Sequence, residues 1–224
     1  MEKIDPNRDT FDYQKSYDRL DDFLYCTEYG GSHAHMLADY CNRELKFLSV
    51  LDVGCSNGES HELFKGFCWA GVDIRHAAVT RANKLFASKS IIAGVWSRDR
   101  PMLGAYALQS CATSLPFRTN HSDLVLSTDV LEHLTTPDTL RAIDEIVRVT
   151  RRYIAIRICP VPEKSPYGKI VGHELHITCQ EPPWWIERFE ERGAELLWAY
   201  NWNFVMQMGD ESHDRSESVR RTAR

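Results

Sequence analysis

The chain has 224 residues, 43% of them hydrophobic and 26% charged, with a formal net charge of −5. Such a chain can bury one sizeable core, and its charge balance excludes a global field that would draw nucleic acid or an anionic membrane. Its seven cysteines are odd in number, scattered and free of any C-x-x-C pair, which excludes a disulfide frame or a structural zinc site and suits the reduced thiols of a cytoplasm.

The amino terminus, MEKIDPNRDT, is polar and lacks an apolar core of the secretory type, and no run is long enough to span a bilayer. Residues 1–46 read as a helical cap. Tyr13, Tyr17, Tyr25 and Tyr29 precede Gly30 and Gly31, an arrangement suited to a lid. FLSVLDVG, from Phe47 to Gly54, reads as a strand buried on both faces, because its apolar residues run together instead of alternating. A short helix over Ser60 to Phe67 follows, then a second buried strand, CWAGVDI, ending near Asp73. His76 to Ser88 has helical spacing, with Val79, Ala82, Leu85 and Phe86 on one face. Ala93 to Gln109 reads as a long irregular stretch, and Ser122 begins another buried strand. Thr136, Pro137 and Asp138 start a helix that continues through Leu140, Ile143, Ile146 and Val147. Tyr153 to Val161 is a strand, and Pro183 to Arg192 a helix stopped by Gly193. AELLWAY and NFVMQMG pair as a terminal hairpin around Asn201 to Asn203. Asp210 to Arg224 is a polar, charge-balanced tail that reads as disordered, which sets the main domain at 47–209.

Strands alternating with helices predict an α/β fold with a mostly parallel, doubly wound sheet and helices on both faces. Ligands of such sheets bind beyond the carboxyl ends of the strands. Asp52–Gly58, Asp73 and Ser127–His133 all fall at predicted carboxyl ends. Gly54 and Gly58 lack the middle glycine of a dinucleotide loop and the Lys-Ser/Thr pair of a triphosphate loop. A ligand with a compact carboxylate and an ammonium group fits better, with Asp52 orienting the ammonium. Asp73, some twenty residues on, is placed to accept from ribose hydroxyls. Ribose joined to an amino-acid end describes S-adenosylmethionine.

VLDVGCSNG, GVDI, ATSLPF, DLVLSTDVLEHL and EIVRVTRRYIAI occur in this order. Together they resemble the class I (Rossmann-like) S-adenosylmethionine-dependent methyltransferases over roughly Phe47 to Ile158. The resemblance implies a seven-stranded sheet whose last strand is antiparallel. It implies that Asp52, Gly54, Cys55, Ser56 and Gly58 pass the methionine moiety, that Asp73 and Ile74 meet the ribose, and that Cys111 and Ala112 lie beside the adenine. Ser127 to Asp129 would floor the sulfonium. Two departures stand out. Cys111 replaces the usual acidic or amide acceptor, and the link from Ile91 to Ser110, with Trp96, Arg98, Arg100 and Tyr106, is longer than usual and placed to fold over the site.

Methyl transfer needs alignment and, for a hydroxyl or amine acceptor, a base. His133 and His176 are the candidates, from two strand-end loops, with His173 nearby. Asp129, Glu132, His133, His173 and His176 also form a possible divalent-ion set. That set is similar to one in metal-dependent methyltransferases of the 3′-terminal ribose of small RNAs, although Asp129 stands where that family has Glu and no basic stripe is evident. Trp184 and Trp185 open a helix in which one indole reads as core and the other as a cover for an acceptor ring. The sequence thus predicts methyl transfer to an oxygen or nitrogen of a small-molecule or sugar-type acceptor. The alternatives are RNA ribose 2′-O-methylation and a catalytically inactive cofactor-binding subunit. Oligomeric state is not legible.

Overall fold

The structure, a computed structural model, describes residues 3–8, 11–17, 34–64, 68–88, 104–159, 161–162 and 167–209. Tyr25, Tyr29, Gly30, Gly31, Trp96, Arg98, Arg100 and the 210–224 tail lie outside the described residues. Among those described, α1 (His35–Glu44) leads into β1 (Ser49–Val53), a 3-10 turn (Glu59–Phe64), β2 (Cys68–Asp73), α2 (His76–Ser88) and β3 (Ala105–Gln109). Then come β4 (Ser122–Thr128), a 3-10 turn (Leu131–His133), α3 (Thr136–Val149), β5 (Thr150–Arg157), α4 (Tyr167–Val171), α5 (Pro182–Glu190), β6 (Ala194–Tyr200) and β7 (Asn203–Met208).

The seven strands form one sheet in the order β3-β2-β1-β4-β5-β7-β6. The pairs from β3 to β5 are parallel, while β7 runs antiparallel to both β5 and β6. The predicted hairpin is present, closed by Asn201 and Trp202 at φ 51° and 66°, the left-handed pair that a tight two-residue turn demands.

The predicted two-faced burial holds. All five residues of β1 are buried, and consecutive ones enter opposite layers. Val50, Leu124, Leu126 and Ala155 pack with Leu37 and Cys41 of α1 and Val79, Ala82 and Phe86 of α2. Leu51, Val53, Val125, Ile154 and Ile156 pack with Ile143 and Ile146 of α3 and Trp185 and Phe189 of α5. The sheet is therefore the middle of three layers, and its strands read as apolar runs because both faces are covered.

Three local expectations need correction. Ala105–Gln109, expected to be irregular, is the edge strand β3. Its AYALQ sequence has two alanines and a half-exposed far end, so no apolar run marks it. The helix expected over Ser60 to Phe67 is a 3-10 turn ending at Phe64. On α3 the buried face is completed by Ala142 and Val149, with Leu140 and Val147 only half-buried.

Candidate active site

β1, β2 and β4 end side by side, and their carboxyl-end loops carry the predicted residues. Gly54 and Gly58 sit at φ 84° and 77°, conformations that L side chains rarely adopt. A Cβ on Gly58 would lie 2.6 Å from the Phe86 ring, so that glycine also lets the loop rest on α2. Ser56 between them is left-handed as well, at φ 50°. Its N–H donates to Asp73 Oδ2 at 2.8 Å, tying the first loop to the end of β2.

Asp73 is only 7% exposed and already has partners. Its Oδ1 accepts from the backbone N–H of Arg75 at 2.9 Å and from Arg75 Nε at 3.2 Å. Arg75 Nη2 in turn donates to Ser56 Oγ at 2.8 Å. A ribose at Asp73 would share the carboxylate with this strap. Arg75 was missed from the sequence, although a cation two residues beyond a strand-end acid is the available signal.

Asp52 fits the ammonium expectation on a separate observation. It is 3% exposed, its Oδ2 accepts from the Ser60 hydroxyl, and its Oδ1 is buried without a partner. Burial pushes the carboxyl from 3.8 up to about 7, opposed by the Ser60 hydrogen bond and reinforced by the charge of Asp73. Between about pH 4 and 7 the folded chain therefore holds a proton here that the unfolded chain has lost. This group's contribution to stability falls as pH rises through that window. An arriving ammonium reverses the balance by favouring the carboxylate. Binding of S-adenosylmethionine at pH 6.5 should thus release most of one proton. Calorimetric heats that do not depend on the buffer's ionisation enthalpy would remove Asp52 from the contact.

Cys55 is buried, and burial pushes its thiol well up. Ile74 is half-buried, and its carbonyl accepts from Gln109 Nε2 at 3.0 Å. Cys111 Sγ lies 3.1 Å from Thr113 Oγ1, and Ala112 packs partly buried on the sheet. The hydroxyl of Ser127 donates to the Val53 carbonyl at 3.0 Å, clamping β4 to β1.

The second half of the site is built from three segments beyond β4 and β5. Asp129 takes a left-handed φ of 54° and pairs with Arg157. Glu132 is fully buried. Its Oε1 accepts from the Cys159 N–H at 2.7 Å, and its Oε2 is buried without a partner. Burial, then the charge of Asp129, pushes its carboxyl up. The Glu132 carbonyl accepts from Ile177 and Thr178 at 2.8 and 3.0 Å, and Thr178 Oγ1 donates to the Leu134 carbonyl at 2.7 Å. These bonds dock the 175–178 segment on the 3-10 turn that carries Glu132 and His133.

That docking brings His133 and His176 together, with ring centroids 4.8 Å apart and planes at 81°. Nδ1 of His133 lies 3.1 Å from the Leu175 carbonyl, and Nδ1 of His176 lies 2.6 Å from that of Val161. A carbonyl oxygen only accepts, so each Nδ1 carries the proton and each Nε2 keeps its lone pair. Burial, then the neighbouring His176, pushes His133 down to about 3, which keeps it neutral. His173 stands apart from the pair. Its ring bonds Ser16 Oγ at 3.1 Å and the Glu174 carbonyl at 2.8 Å. One ligand atom each from Glu132, His133 and His176 lies within 4.8 Å of the others; Asp129 and His173 are not in that group.

Tyr13 and Tyr17 reach this region from the amino-terminal segment. The Tyr13 hydroxyl donates to Asp138 Oδ2 at 2.8 Å, and the Tyr17 ring lies 6.0 Å from that of His133. Trp185 is fully buried, whereas Trp184 is half-buried under the Arg188 guanidinium at 5.6 Å.

Residues 51–153 match the family described as a methyltransferase domain. Magnesium protoporphyrin IX methyltransferase (ChlM) from Synechocystis PCC 6803, solved with bound SAH, superposes with a TM-score of 0.60 at 15% identity, over 86% of this chain and 94% of that one. A putative methyltransferase in complex with the Haloferax volcanii Trm112 activator gives 0.58 at 15% identity, over 84% and 80%. The [4+2]-cyclase SpnF gives 0.59 at 17% identity, over 88% and 76%. At these identities the likeness is one of fold, and the cyclase shows why fold alone does not fix a reaction. No curated protein matches. Among the described residues no helix is long and apolar enough to cross a membrane. The matched methyltransferase domain agrees with the motif order, the glycine loop and the strand-end acids on one sheet edge, and with the resemblance to the class I S-adenosylmethionine-dependent methyltransferases.

Proposed function

We propose that the protein moves the methyl group to an oxygen or nitrogen of a small-molecule or sugar-type acceptor, in the cytoplasm, with His133 and His176 acting on the acceptor's proton. The observation that carries this reading is the pair of Nε2 lone pairs beyond β4, both fixed by Nδ1–H bonds to backbone carbonyls. S-adenosylmethionine, when bound, supplies a methyl already activated on a sulfonium. The chain's part is to hold the two reactants in line and to receive a proton. Asp52, Gly54, Cys55, Ser56 and Gly58 would hold the amino-acid end, Asp73 and Ile74 the ribose, and Cys111 and Ala112 the adenine, with Ser127 stiffening the floor between them.

Asp73→Ala tests the cofactor half. It removes charge-assisted hydrogen bonds to the ribose, so affinity should fall about tenfold to a hundredfold in calorimetric titration. Arg75 loses its carboxylate at the same time, so Asp73→Asn is the companion variant that keeps the shape. Equal binding by wild type and both variants would reject the ribose role. The acceptor half is tested with methyl-labelled S-adenosylmethionine and a panel of hydroxylated metabolites, amines, free sugars and short RNAs. Label in the small-molecule fraction is the expected result, and label confined to RNA would overturn the acceptor class.

A further inference from the structure

We propose that Glu132, His133 and His176 form a binding site for one divalent transition-metal ion, which holds and activates an acceptor hydroxyl. The site follows from four independent features. The first is convergence: one ligand atom from each residue lies within 4.8 Å of the others, although the residues come from segments 43 positions apart. Around an ion with bonds of about 2.0–2.2 Å, donor atoms stand up to roughly 4 Å apart, so closure needs side-chain shifts of under about 1 Å.

The second feature is the state of the imidazoles. Both Nδ1–H groups are spent on backbone carbonyls, which leaves both Nε2 lone pairs for a ligand. This is the usual outer partner of a metal-bound histidine, and it fixes both tautomer and ring orientation. The third is the carboxylate. Glu132 is fully buried, with Oε1 held by the Cys159 N–H and Oε2 without a partner. A buried carboxylate oxygen left bare is costly, and a cation compensates it directly. The fourth is rigidity: two N–H bonds to the Glu132 carbonyl fix the 175–178 segment against the 3-10 turn before any ligand arrives.

Two imidazoles with one carboxylate favour zinc, manganese, iron, cobalt or nickel over magnesium or calcium, which prefer all-oxygen sets. Three protein ligands leave positions for an acceptor oxygen. Asp129, already paired with Arg157, stays outside the donor set and supplies charge nearby. This use of the ion rests on the methyltransferase reading above, with one change of role. Once their Nε2 lone pairs hold the ion, the two histidines act on the acceptor's proton through it rather than by accepting it, and this selects oxygen over nitrogen as the acceptor atom. The acceptor hydroxyl, its acidity raised by the ion, gives its proton to water. The oxygen lone pair then forms the new bond to the methyl carbon, and the carbon–sulfur bond breaks with its pair retained on sulfur.

The test uses tag-free, chelator-stripped full chain titrated with cobalt(II), followed by its visible absorption, and with zinc(II) by calorimetry. One equivalent should bind, with a cobalt spectrum of nitrogen–oxygen ligation. His176→Ala and Glu132→Gln should each weaken binding by at least about the tenfold to hundredfold that outer partners alone are worth. Glu132→Gln keeps an acceptor for Cys159 and so preserves the fold, and titration with S-adenosylmethionine checks both variants independently. No stoichiometric binding, or unchanged metal affinity in both variants, overturns the site while leaving cofactor binding intact. Loss of cofactor binding in the wild type would instead overturn the methyltransferase reading. Label found on amines and not on hydroxyls would overturn the assignment to oxygen.

Discussion

Replacing both His133 and His176 with alanine should lower turnover by about a hundredfold to ten-thousandfold while leaving S-adenosylmethionine affinity nearly unchanged. The two rings lie beyond β4 and hold their lone pairs on fixed Nδ1–H anchors. Their loss removes the only paired imidazoles among the described residues at that strand end, but it touches neither the glycine loop nor Asp73. The effect should therefore fall on kcat, with cofactor affinity as the control. Replacing His173 gives the contrast. Its ring is tied to Ser16 and to the Glu174 carbonyl, away from the pair, so His173→Ala should leave kcat within about threefold. Full turnover in the double variant would mean that alignment alone performs the transfer, and a His173→Ala effect as large as the double would relocate the chemistry.

Trp185→Ala should be the most destabilising single change in the second layer, at about 3–5 kcal/mol, because a fully buried indole leaves a cavity that α5 and the sheet cannot fill. For a chain of this size that corresponds to a fall in Tm of about 6–20 °C. The indole also does more than fill space. Its Nε1 donates to the Gln180 carbonyl at 3.0 Å, four residues beyond His176, so α5 anchors the segment that carries the histidine. Trp184→Ala should cost within about 1 kcal/mol, since that ring is half-buried and meets Arg188 near the surface. Thermal unfolding that ranks the two tryptophans in the opposite order would contradict this account of the helix.

The fold was legible wherever apolar residues ran together or recurred at helical spacing. Val50, Leu51 and Val53 announced a strand covered on both faces, and His76–Ser88 emerged with its predicted bounds. β3 escaped because edge strands with small residues carry little pattern. In the site, the strand-end acids, the two glycines and the convergence of His133 with His176 could all be read, since strand ends set where loops meet. What could not be read was which loop residue turns inward. His173 and His176 are three positions apart in one loop. Only the N–H bonds from Ile177 and Thr178 to the Glu132 carbonyl decide that His176 joins His133 and His173 does not. The Asp73–Arg75 pair and the bare Oε2 of Glu132 likewise depend on three-dimensional neighbours that no spacing encodes.

The double acceptance at the Glu132 carbonyl has a consequence for time as well as for shape. Ile177 and Thr178 follow Glu132 by 45 and 46 positions, yet the site exists only while their two amide protons stay engaged. Amide exchange with solvent needs that engagement to break. The exchange of these two protons therefore reports the share of time that the wall carrying His176 stands off the wall carrying His133. Two resonances thus follow the opening and closing of the two walls that carry the histidines.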